Sequence, residues 1–329
     1  MSTDFRKKLT RDIGYSQAAV DAAWPEWWTP EAESSPSAVA ELKFSLSRKL
    51  GLDPRALINN EATFFWDDSG KFKNFTGTEA EKMAICAFGI SVARILTQGT
   101  PQSEETSLAS ASVLRKAVLA NSPFVSLADL VSICWALNIP VVHLKVHPLP
   151  AKRMCGMAVV TDGGPSIFLA KDNKYPCHTA FHLAHEIGHL SLGHVTNGQP
   201  VIDMEDPLGL GEEADNEELA ADRFALELLT GDPDFEVEKI GSGRNPAELA
   251  KQCLDKGFEF GIEPGTLALC YGYATREWDV ANTAIKGIYE KPHDVWKFIN
   301  STAKTQIKWE SLTDDSRAFL EAVMGGTLD

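Results

Sequence analysis

Apolar positions recur with a helical period over the first third of the chain, alternate briefly near its middle, and then return to the helical period. Residues 1–76 are helical but irregular. A polar helix is predicted around Asp4–Asp12, followed by a Trp/Pro-rich turn from Ala23 to Pro30 and a Ser/Pro loop from Ser34 to Ser37. An amphipathic helix follows over Ala38–Leu50; Gly51 stops it, and Asp53 with Pro54 starts a short one. Phe64–Phe72 reads as a small hairpin turning at Asp68–Gly70. A long helix is predicted over Glu79–Leu96, with apolar residues at Met83, Ile85, Phe88, Val92 and Leu96. Thr97–Thr106 is a polar linker, and helices over Ser107–Leu119 and Ser126–Leu137 come after it, the second capped by Ser126.

The period then falls to two. Val141–Val146, Gly156–Thr161 and Ser166–Ala170 predict the short strands of a small antiparallel sheet. Tyr175–Leu192 returns to helix, Asp203–Glu213 reads as an acidic loop, and Asn216–Leu229 is helical again. Residues 232–329 alternate helices with Gly/Pro breaks. The expected fold is therefore α+β and mostly helical. Three units are expected: an N-terminal helical domain over 1–100, a central domain over 107–275 and a C-terminal helical extension over 276–329.

Composition narrows the classes of function. With 44% hydrophobic and 23% charged residues in 329, a sizeable core is expected. The net charge of -15 is uneven: residues 131–329 carry 17 basic and 30 acidic side chains, against 14 and 16 before them. Such a chain is not expected to coat nucleic acid, which needs Lys/Arg to release counterions. No apolar run approaches the roughly 20 residues that cross a bilayer, and no secretory signal is visible behind Met1. Six scattered cysteines without a C-x-x-C pair suit a reducing compartment. Cytoplasmic is the expected location.

The chemistry concentrates in Phe181–His194. His185-Glu186-Ile187-Gly188-His189 is an H-E-x-x-H motif. Residues four apart on a helix are separated by about 6 Å along the axis and about 40° around it, so both imidazoles share a face and can bind one Zn²⁺. Glu186 stands to the side of the metal, where it can take a proton from water. Gly188 allows a second backbone, or a substrate, to come close. A third ligand is required. In Glu217-Glu218-Leu-Ala-Ala-Asp222 the acids Glu218 and Asp222 share one face: Glu218 can complete a His/His/Glu set, while Asp222 orients a ligand histidine.

This sequence, with Glu218–Leu229 about thirty residues after the histidines, resembles the ImmA/IrrE family of zinc metallopeptidases over roughly residues 107–275. The resemblance implies a minimal gluzincin-like fold with the sheet packed on the H-E-x-x-H helix. It implies His185, His189 and Glu218 as Zn²⁺ ligands, Glu186 as the general base and Asp222 as the residue behind a ligand. The chain departs from the family's E-x-E-A-N-x-F-A pattern at Ala220 and Asp222, which leaves Glu217 as an alternative ligand. The resemblance further implies cleavage of a small Xre-type helix-turn-helix repressor, derepressing genes of stress response, element transfer or phage defence.

Several residues are open to more than one reading. His178 and His182 lie on the face of the ligand histidines as supporting or surface residues, His194 reads as closing the helix end, and His143 and His147 as strand and loop residues. A cysteine thiolate can block the metal's open position. Tyr271, Tyr273 and His293 are chemically able to stabilise an oxyanion. Ser166–Ala170, as an edge strand, can pair with an extended substrate. Gly14–Val20 and Leu46–Leu57 faintly resemble pieces of a helix-turn-helix, and Arg6, Lys7, Lys8, Arg11, Arg48, Lys49 and Arg55 can touch phosphate. The alternative function is accordingly a DNA- or partner-binding regulator whose zinc fold does not catalyse.

Overall fold

Helix starts in this chain carry their own caps. Ser16, Ser35, Asp53, Thr78, Ser126 and Thr313 each accept a hydrogen bond from a first-turn amide, satisfying donors that a helix leaves over. The computed structural model describes residues 2–66, 70–73, 75–101, 108–150, 154–204, 216–237, 240 and 245–326. Helices Ser2–Arg11 (α1), Gln17–Ala23 (α2), Pro36–Leu50 (α3) and Pro54–Ile58 (α4) lead to strand Lys71–Lys73 (β1). The long helix Glu79–Gln98 (α5) is followed by Ala111–Leu119 (α6) and Leu127–Ala136 (α7). Strands Val141–His143 (β2), Met154–Thr161 (β3) and Gly164–Leu169 (β4) precede helix Pro176–Ser191 (α8), strand Val201–Met204 (β5) and helix Asn216–Thr230 (α9). Pro246–Phe260 (α10), Pro264–Thr275 (α11), Trp278–Tyr289 (α12), Val295–Gln306 (α13) and Asp314–Val323 (α14) close the order.

The fold is α+β, as expected, but the sheet is not antiparallel. Its strand order is β1-β5-β3-β4-β2. β3 is antiparallel to both β4 and β5, whereas β1 runs parallel to β5 and β2 parallel to β4. Lys71–Lys73, expected as the return arm of a hairpin, pairs instead with Val201–Asp203; Asp68 of the expected turn lies outside the described residues. Val201–Met204 is a buried strand where the start of an acidic loop was expected, and 205–215 lie outside the described residues. β4 has a neighbour on each side, so it is interior and has no free edge for a substrate.

Two helices sandwich the sheet. The Met157 thioether fills the space over Gly89 of α5, where a Cβ would lie 2.3 Å from the sulfur, and Gly156 faces Glu186 of α8. Successive strand residues point to opposite faces, so α5 and α8 lie on opposite sides. Buried apolar side chains form one cluster from Leu9 in α1, through the sheet, to Val323 in α14. Ser45 and Lys49 of α3 both bond to Asp315 of α14, and Asn300 of α13 holds the backbone of His143. A second cluster gathers α10, α11 and α12 around Leu249, Leu267 and Ile285. Lys49, read as a phosphate contact, is buried, with its ammonium on Asp315 and the Ala23 carbonyl. Arg6 pairs with Asp21. Among the described residues, no helix is long and apolar enough to cross a membrane.

Candidate metal centre

The motif helix is held by what surrounds it. From Leu183 to His189 every residue of α8 is buried, with Leu183, Ala184 and Ile187 in the main core. Gly188 has the close approach its lack of a side chain permits. A Cβ there would stand 3.2 Å from the Ala221 carbonyl oxygen and from two carbons of Phe224. The backbone that comes close is that of α9, which brings its Glu218/Asp222 face against the histidines.

Four donor-bearing side chains meet at this seam. His185 Nε2 lies 2.9 Å from His189 Nε2 and 3.4 Å from Glu218 Oε2, and His189 Nε2 lies 3.4 Å from Glu218 Oε1. Asp203 of β5 joins them, its Oδ2 3.3 Å from His185 Nε2. The four ligand atoms lie within 4.8 Å of one another, and all four residues are buried. This group could hold a metal ion. Bonds of 2.0–2.1 Å in a tetrahedron set ligand atoms about 3.3 Å apart, which matches the observed spacings. Glu217, the alternative ligand, is only half-buried and is paired with Lys71 at 2.6 Å.

Hydrogen bonds behind the ligands fix their ring orientations. With Nε2 turned to the centre, His185 Nδ1–H donates to Asp222 Oδ1 at 2.8 Å. His189 Nδ1–H likewise donates to His194 Nδ1 at 3.0 Å. The His194 amide also donates to the His189 carbonyl at the end of α8. It therefore closes the helix end, as expected, and its ring also holds that of the candidate ligand His189, which was not expected.

The centre is rich in buried negative charge. Glu186, Asp203 and Glu218 are all buried, and Lys73 of β1 reaches Glu218 Oε2 at 2.8 Å. Burial pushes the His185 imidazole down, but Asp222, Glu218, Asp203 and Glu186 outweigh it and raise it to about 10. Burial raises Glu186 and Asp203 above the usual carboxylate range; the Asp203 charge adds to it at Glu186, and the Glu218 charge adds to it at both. Burial also opposes ionisation of Glu218, but both imidazoles and Lys73 hold it well below that range. Glu186 Oε2 and Asp203 Oδ1 are buried without a hydrogen-bond partner. Buried, unpartnered carboxylate oxygens are costly unless a cation sits nearby. The donor set and its spacing fit a divalent ion such as zinc.

Glu186, next to His185 on α8, is packed against β3. A Cβ on Gly156 would lie 2.1 Å from Glu186 Oε1, so the strand can pass over the carboxylate only because residue 156 has no side chain. A cavity of about 690 Å³ opens beside His185, Asp203 and Asp222. Its apolar wall includes Phe181, Leu226 and Leu269, and Arg276 also lines it. Of the candidate oxyanion groups, only Tyr273 lines this cavity. Tyr271 bonds Glu277, and the His293 ring stacks edge-on against Tyr289. His182 lines the cavity and His178 is half-buried; neither belongs to the four-residue group. No cysteine belongs to it either, and all six cysteines are buried thiols outside any disulfide.

The sequence reading missed Asp203, Lys73 and the ring of His194. Asp203 heads an acidic run and so looked solvated. The only available signal was the apolar pair Val201-Ile202 before it. A comparison with known protein families, with curated proteins and with solved structures finds no match for this chain.

Proposed function

We propose that the protein is a zinc-dependent endopeptidase. The observation that carries this reading is the convergence of His185, His189 and Glu218 from two helices, with Glu186, the buried neighbour of His185 on α8, keeping its Oε2 without a hydrogen-bond partner. His185 Nε2, His189 Nε2 and Glu218 would hold the ion. Bound zinc would polarise a scissile carbonyl and acidify a water molecule. Glu186 then takes the water proton on its carboxylate and delivers it to the leaving amide nitrogen. Burial raises the Glu186 carboxyl, which favours its keeping the proton until the leaving nitrogen takes it. Asp222 and His194 keep the two imidazoles in the tautomers that present Nε2. The cavity beside His185, with its apolar wall, would receive a substrate side chain.

The substrate we propose first is a small Xre-type helix-turn-helix repressor, on the motif resemblance alone. Incubating the zinc-loaded protein with such a repressor should yield discrete fragments. Glu186→Gln should abolish their formation while leaving metal binding intact; cleavage that survives this substitution would remove Glu186 from the mechanism.

A further inference from the structure

A hydrolytic metal centre needs a corner for solvent, yet this one is approached by a fourth protein donor. Asp203 Oδ2 stands 3.3 Å from His185 Nε2, the same separation within 0.1 Å as the Glu218 oxygen. A water bound in the fourth corner would itself lie about 3.3 Å from each ligand atom; Asp203 Oδ2 stands at that distance from His185 Nε2, and an Asp203 carboxylate oxygen lies within 4.8 Å of the His189 and Glu218 donors. The residue is not a stray surface acid. β5 is sandwiched between β3 and β1, and Asp203 is in register with Gly156 on one side and Lys73 on the other. Its side chain is buried against the histidines, and Oδ1 has no hydrogen-bond partner.

We propose that Asp203 is a latch: a fourth protein ligand that closes the metal's open corner and must swing away before water and substrate can enter. This rests on the zinc reading above. Lys73 gives the departing carboxylate somewhere to go, since it is the register partner of Asp203 on β1 and its ammonium already reaches Glu218 Oε2 at 2.8 Å. Side chains in register on neighbouring strands point to the same face. Release of Asp203 therefore exchanges one cation for another without exposing a bare buried charge. The latched state is a resting form that protects cell proteins from an open hydrolytic centre. Whatever draws Asp203 toward Lys73, such as a substrate segment entering the cavity, switches it on.

The test uses the full chain loaded with zinc or cobalt(II), in wild-type, Asp203→Ala and Asp203→Asn forms. Asn keeps the shape of the side chain and the pairing of β5, so agreement of the two variants excludes misfolding as the cause. Chelator competition should show metal affinity lowered at least about tenfold in both variants. Acetohydroxamate, titrated into the cobalt proteins, should shift the visible spectrum of both variants at concentrations that leave the wild type unchanged. Unchanged metal affinity in both variants overturns the proposal. Lowered affinity with equal hydroxamate binding by all three proteins also overturns it, because Asp203 would then be a ligand that leaves the corner open. A wild type that takes up neither metal brings down the zinc reading itself, and is distinguished by that first measurement.

Discussion

Adding one methyl group to β3 tests how the candidate base is held. Gly156 lies under Glu186, and a Cβ there would stand 2.1 Å from Oε1, 2.9 Å from Cδ and 3.1 Å from Cγ. Ordinary contact begins near 3.4 Å, so Gly156→Ala forces a separation of about 1.3 Å at the carboxylate. Glu186 is 1% exposed and has no solvent into which to turn. Either its carboxylate retreats or β3 lifts from α8, and both outcomes move the proton acceptor. Misplacement by about 1 Å costs roughly 100-fold in rate, or about 2.7 kcal/mol of barrier. The side chains of His185, His189 and Glu218 are untouched and Asp203 keeps its place on β5, so zinc affinity should stay within about threefold. Overpacking costs about 1–3 kcal/mol of stability, which thermal melting followed by circular dichroism would register. The assay is the initial rate of substrate cleavage beside zinc competition on the same samples, with Glu186→Gln as the floor. A variant that cleaves within about threefold of the wild type would refute the argument that β3 holds Glu186 in its working position.

Three further outcomes are expected. Asp222→Ala should weaken zinc binding by about 10- to 100-fold, because His185 loses the acceptor that fixes its tautomer; unchanged affinity in chelator competition would show that Asp222 does not set the ring. Removing the metal should loosen the seam of α8, α9 and β5 together. The melting temperature should rise with free zinc, by an amount equivalent to about 4 kcal/mol at a thousandfold excess over Kd, and a temperature indifferent to zinc and chelator would contradict a metal centre there. The third concerns His143 on β2, far down the same sheet. Burial pushes its imidazole down to about 4, and Lys171 and Asp172 offset this only in part. Since the folded value lies below the usual 6.5, the unfolded chain takes the proton first. The His143 share of stability is whole above pH 6.5 and is lost as pH falls toward 4, reaching about 2 kcal/mol at pH 5. Urea unfolding of His143→Gln should show a correspondingly flatter dependence between pH 7 and 5, and an unchanged slope would refute it.

What could be read directly from residue order was whatever repeats within one helix. The i, i+4 spacing of His185 and His189, and of Glu218 and Asp222, puts each pair on one face because a helix advances about 100° per residue. Glu186 and Gly188 follow from the same geometry, and caps such as Thr78 and Ser126 act within a single turn. The tertiary structure decided everything that depends on strands meeting across long stretches of chain. β1 and β5 span three and four residues, too few for an alternation to show, and their parallel pairing joins Lys71 to Val201. Asp203 looked like the head of a solvated acidic run because its burial comes from β3 and β1, neither adjacent to it in sequence. Lys73 meets Glu218 for the same reason. A helix carries its face in its own period, whereas a short strand acquires its inside and outside only from its neighbours. That is why the two histidines and Glu218 could be placed in advance while the Asp203 carboxylate could not.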